Sequence, residues 1–175
     1  MSWYTKTNTE KGLNQGDIIL DCPIIIPPNN PDYTSWTDIE IELFDVIILS
    51  QSCDLQHGKI KLVLVAPIFS LDNFILANPH FSDVKLQEAM RMGNLPGYHL
   101  LDFYPFETRE DLKDKYLVID FKSVSSVSFE FLNSFVLEKP EYIRVSSPYV
   151  EHLSQSYARF VMRVGLPSTI PRFKK

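Results

Sequence analysis

The sequence predicts a mainly β fold, a small antiparallel barrel carrying a short inserted helix and a C-terminal helix packed on its outside. Three observations predict it. Seven strand-like runs stand against two convincing helical patterns. Aromatic residues are plentiful, with twelve Phe, eight Tyr and two Trp, while Gly is scarce at six and Pro common at twelve. That mixture suits pleated surfaces joined by stiff connections. At 175 residues and 45% hydrophobic content the chain reads as one domain, 1–175, with a single core.

The first strand is Ile18 to Ile26, opened by Gly16-Asp17 and closed by Pro27-Pro28. Asn29 to Thr37 has the composition of a loop, with Trp36 folding back on the barrel. Ile39, Ile41 and Leu43 alternate with Glu40 and Glu42, the period of a strand with one wet face. Asp45 to Leu49 is continuously apolar, a buried strand that delivers the polar segment Ser50-Gln-Ser-Cys-Asp54 to one place. Lys59 to Phe69 follows the turn at Gly58 and pairs with it antiparallel.

Ser82 caps a short helix through 93, with Leu86, Ala89 and Met90 on one stripe. His99 sits in the apolar stretch after the turn at Asn94 to Gly97, and Tyr116 to Phe121, Val124 to Phe129 and Tyr142 to Val145 read as strands. The final helix has Ser147 as cap, Pro148 as its first helical residue, and Gly165 with Pro167 as its stop. Its apolar stripe is Tyr149, Leu153, Tyr157, Phe160, Val161 and Val164; beside it fall His152, Gln155, Arg159 and Arg163. The barrel core therefore spans 16–132 with the insertion at 82–93, and the last strand and helix span 142–165.

Composition also excludes. The polar start, Met1 to Gln15, lacks a secretory pattern, and the longest apolar run, Leu62 to Phe69, is far short of the roughly 20 residues a membrane helix needs. A cytoplasmic protein with reduced Cys22 and Cys53 is expected. Net charge is -5, yet from Lys139 onward seven Lys and Arg face two Glu, a region of +5 that leaves -10 elsewhere. Arg159 and Arg163 are expected to pair internally with carboxylates, at least in part.

In order, Gly16 to Asp21, Asp45 to Ser50, Leu62 to Ile68 and Tyr116 to Val124 resemble the strands of the MazF/PemK family of toxin barrels, SH3-like domains that cut RNA. The resemblance implies an SH3-like barrel in a toxin-antitoxin or phage-defence setting. Where that family has Arg-Pro this chain has Phe44-Asp45, and where it has Thr or Ser after the apolar strand it has Phe69, with Ser70 one place late. The resemblance thus implies a divergent, noncatalytic module that binds nucleic acid or a protein partner. Leu49 to Leu55 and Pro148 to Gln155 also resemble segments of bacterial proteins, with no activity attached.

An enzyme, if this is one, would centre on Cys53, with Asp54, His57 and His99 as its helpers. A thiolate needs a base or a cation to lower its pKa, and a histidine within about 3 to 4 Å is the test. The competing reading is a small buried Cys53 beside a turn-forming Asp54. Gln51, Ser52, Ser70, His152, Arg159 and Arg163 are the binding candidates, the last helix alone being a further partner surface. No cofactor is called for, and without a paired Cys motif no metal.

Overall fold

A computed structural model of the chain describes residues 2–28, 40–104, 109–139 and 141–163. The fold is mixed α/β, with eight antiparallel strands in an open sheet and five α-helices. The strands are β1 (Tyr4–Thr7), β2 (Asp17–Ile26), β3 (Glu40–Ile48), β4 (Leu62–Ser70), β5 (Tyr98–Leu101), β6 (Leu117–Asp120), β7 (Ser125–Ser128) and β8 (Tyr142–Val145). The helices are α1 (Ser52–Gln56), α2 (Leu71–Ala77), α3 (Val84–Arg91), α4 (Phe129–Leu137) and α5 (Tyr149–Val161).

The sheet runs β1-β8-β2-β3-β4-β6-β5, with β7 also on β4. Two strands carry the architecture. β4 pairs with β3 (Val46↔Pro67, Ile48↔Val65) and, in turn, with β7 (Leu62↔Ser128) and β6 (Ile68↔Ile119). β2 and β3 form a long hairpin from Ile18↔Ile47 to Ile26↔Glu40, broken by a bulge between Ile19 and Cys22 where Asp21 has φ +53°. Among the described residues no ladder joins the sheet's ends, β1 and β5.

Side chains alternate across a strand, so the hairpin feeds two cores. One face gathers Ile18, Ile47, Ala66 and Ile68 under α5, which contributes Leu153 with Tyr149, Tyr157 and Phe160. The other gathers Ile19, Val46, Ile48 and Val65 with Leu132 and Val136 of α4. A third, smaller cluster packs Phe74 of α2, Phe81 and Met90 of α3 on Val118.

The mainly β expectation gives way to a mixed fold because three helices escape the pattern reading. Ser70 caps α2, its hydroxyl accepting from the Asn73 N–H at 3.3 Å, and Ser128 caps α4 through Phe131. The supposed polar loop after β3 is α1, one turn long. The separate runs around Ile41 and Val46 are one strand, β3; the polar leader contains β1; and the stretch holding His99 is β5. In the inserted helix Asp83, not Ser82, caps: its carboxylate accepts from the Lys85 N–H, while the Ser82 hydroxyl donates to the Pro79 carbonyl. In the last helix the Ser147 hydroxyl bonds the Glu151 carboxylate at 3.0 Å, so it leaves the backbone uncapped, and α5 begins at Tyr149. Trp36, Ile39, Val164, Gly165 and Pro167 lie outside the described residues.

Candidate functional site

The polar segment after β3 meets the first turns of α5 through Gln15. Its N–H donates to Ser52 Oγ at 3.1 Å, its Nε2 donates to the Leu49 carbonyl at 2.7 Å, and its Oε1 accepts from Ser154 Oγ at 2.9 Å. Gly16 permits this approach, because at φ +83° a Cβ there would stand 2.9 Å from Val150 Cγ2. Next to it, Asp17 is wholly buried and receives Arg144 through Nε and Nη2, while the Asn14 N–H donates to it at 2.8 Å. Burial pushes the Asp17 carboxyl up, and the bonds and charge of Arg144 oppose that shift. The cleft here has a volume near 520 Å³ and is lined by Gln15, Ser52, Arg144, Glu151 and Ser154. Gln15, Asp17 and Arg144 spend their polar groups on neighbours within the fold, so this junction clamps elements together.

Cys53 is exposed at the start of α1. Its sulfur lies 3.7 Å from Gln51 Oε1 and 3.7 Å from Asp54 Oδ1, an amide oxygen and a carboxylate, neither of which stabilises a thiolate. Asp54 faces Lys59 at 3.9 Å, and His57 bonds the segment only through its backbone N–H to the Cys53 carbonyl. His99 is buried in β5, its ring stacked 6.4 Å from Phe121, with neither nitrogen hydrogen-bonded among the described residues. Burial, with the nearby His152, lowers its pKa to about 4. The structure therefore does not assemble the four catalytic candidates. The small-buried alternative for Cys53 is corrected as well; the buried thiol is Cys22, whose burial pushes its pKa to about 11.

Ser70 is buried as the cap of α2, so its hydroxyl serves the fold. His152 and Arg159 are exposed on α5, and Arg163 lies over the Phe160 ring at 4.5 Å with Nε donating to the Phe160 carbonyl. Among the described residues neither arginine makes an ion pair with a carboxylate. The apolar stripe of α5 is spent on the core and on Trp3, stacked 3.7 Å from Tyr149; Val161, placed in that stripe by spacing, is exposed. At Phe44-Asp45 a cation does arrive, from a distant loop: Arg109 Nη1 reaches Asp45 and Asp21, each at 2.9 Å, and its other nitrogens hold Asp111. Three carboxylates consume that guanidinium. Among the described residues no group of three or more His, Cys, Asp or Glu could hold a metal ion, and no helix is long and apolar enough to cross a membrane.

The feature that sequence reasoning missed lies in the distal half of the hairpin. Ile25, Ile41 and Leu43 are 63%, 59% and 65% exposed, although Ile41 and Leu43 were the apolar face of the alternation. Ile25 and Ile41 line a groove of about 740 Å³ between β2 and β7, walled also by Pro23, Leu64, Ser126 and Phe131. Beyond Ile18, β2 pairs only with β3 among the described residues, and β7 pairs only with β4. Among the described residues each therefore keeps one strand edge without a ladder partner at the groove.

No family model matches this chain, and no curated protein or solved structure matches it.

Proposed function

We propose that the chain is a noncatalytic binding module that takes a protein partner in the groove between β2 and β7. The observation that carries this reading is the apolar surface left exposed on both walls, Ile25 and Ile41 on one side, Leu64 and Phe131 on the other. Exposed apolar patches rimmed by polar groups mark interaction sites, and fully burying one such side chain contributes about 1.5–3 kcal/mol. The volume falls within the ~300–1,000 Å³ usual for binding clefts. An open SH3-like barrel of the MazF/PemK kind, without the nuclease groups, is the outline this reading adopts; the antiparallel strand order and the consumed Arg109 agree with it.

A protein partner is preferred over nucleic acid because the residues that line the groove are apolar or hydroxylic, with no Lys or Arg among them, and the chain carries a net charge of -5. A lining without cations gives phosphate nothing to pair with. The cations Arg159 and Arg163 belong to α5 and line no part of the groove.

A random peptide display library selected on the intact protein tests the proposal. Selected peptides should bind at micromolar Kd and lose about tenfold or more in Ile41→Glu, while single-stranded RNA and duplex DNA titrate flat at low salt. Peptides indifferent to Ile41→Glu, or nucleic-acid binding that falls steeply with salt, would contradict it.

A further inference from the structure

The groove offers more than apolar side chains, because both of its long walls are strand edges. We infer that the partner enters as an extended strand that pairs with the free edge of β7, its apolar residues seated against Ile25, Ile41, Leu64 and Phe131 and its flanking residues basic. This rests on the protein-partner reading and names the form and charge of the partner.

The backbone decides the form. An edge presents unpaired donors and acceptors, and an incoming strand can satisfy them, whereas a helix has its own backbone groups bonded internally. The two edges are not equal. β2 carries Pro23 and runs into Pro27-Pro28, which remove donors and suit an edge kept from pairing. β7, Ser125-Ser-Val-Ser128, has no proline and keeps every N–H.

Side chains decide what kind of strand. Leu62 pairs with Ser128 and Leu64 with Ser126, so these four side chains share one face of the sheet, and on it both leucines are exposed. A strand laid beside β7 would have small serines as its nearest neighbours on that face, which leaves room for large apolar residues at alternate positions. Val127 points to the opposite face and is buried.

Charge decides the flanks. The lining is uncharged; on the outer rim, Glu40 and Glu42, chain neighbours of Ile41 on the other face of β3, and Glu130, the neighbour of Phe131, are exposed and make no ion pair among the described residues, against Lys61 before the β4–β7 ladder. Basic residues at the ends of the incoming strand complement that rim, and the chain as a whole is -5.

The probe is a synthetic peptide of alternating Val and Thr with Lys at each end, followed by fluorescence anisotropy and by amide hydrogen exchange of the intact protein. The expected result is saturable binding with new protection of amides within Ser125–Ser128. N-methylation of alternate peptide residues along one edge should weaken binding about tenfold or more, and exchanging Lys for Glu should weaken it in a salt-dependent way. Absence of binding, equal binding of both edge-methylated peptides, or outward amides of β7 already protected in the free protein would overturn strand addition. So would sedimentation showing a dimer that Ile41→Glu dissociates, because the occupant would then be a second copy. Library peptides that bind the groove only as helices would overturn strand addition and leave the partner reading standing; indifference of every peptide to Ile41→Glu would remove both.

Discussion

The two halves of the β2–β3 hairpin are both apolar and differ in how many of their faces are covered. Near the bulge, Ile18, Ile19, Val46, Ile47 and Ile48 are buried on both faces, between α5 on one side and α4 on the other. Beyond it one face still buries Cys22 and Ile24, while Ile25, Ile41 and Leu43 on the other are open to solvent. The exposed residues Ile25, Ile41 and Leu43 are as apolar as the buried ones. What differs is whether another element reaches that face, which is a property of the tertiary arrangement. The proximal half is the scaffold, and the distal half is apolar surface available to something else.

Substitutions should separate the halves. Arg144→Met should have the largest effect, because it leaves the buried Asp17 carboxylate uncompensated beside the start of β2; a loss of about 3–5 kcal/mol in urea unfolding is expected. Ile47→Ala, a fully buried side chain in the proximal half, should cost about 2–5 kcal/mol. If it costs no more than an exposed substitution, the division between the halves is wrong.

Acid should act on the same scaffold through His99. Its pKa is lowered to about 4 in the fold by burial and by His152, against about 6.5 when unfolded, so the unfolded state binds the extra proton first. The contribution of about 3 kcal/mol is intact above pH 6.5 and is lost as pH falls from about 6.5 to about 4. His99→Leu should flatten stability across that window.

Thiol labelling sharpens the comparison within the distal half. Cys22 belongs to that half yet is fully buried, with its pKa pushed to about 11, whereas Cys53 is exposed. Cys53 should label quickly at neutral pH and Cys22 only at the rate of unfolding. Fast labelling of Cys22 would mean that the distal half opens locally and that its exposed face is only part of its instability.

Much of the strand framework was legible because alternation and apolar runs are local properties: Ile18 to Ile26 covers β2 except Asp17, Lys59 to Phe69 covers β4 except Ser70, and Tyr142 to Val145 is β8. The helices α2 and α4 were not, because Phe74, Phe129 and Phe131 carry strand-like composition, and their start signals, Ser70 and Ser128, sit at the ends of apolar runs that absorb them. The candidate site was hidden for a different reason. Alternation identifies an apolar face but not its partner, so Ile41 and Leu43 read as core. Cys53 drew attention through its polar company, yet that company turned out to be acceptors, and among the described residues His57 bonds it only through the backbone.

The smallest expected effect on stability carries the most weight for function. Ile41→Glu should shift unfolding free energy by no more than about 0.5 kcal/mol, the range for exposed positions. The most direct measurement is a thermal melt and a library-peptide titration on the same Ile41→Glu sample. An unchanged Tm with peptide binding lost is the outcome expected for exposed apolar surface used by a partner; a Tm lowered by several degrees, or binding that survives, would show that Ile41 serves the core or serves nothing, and would contradict the account.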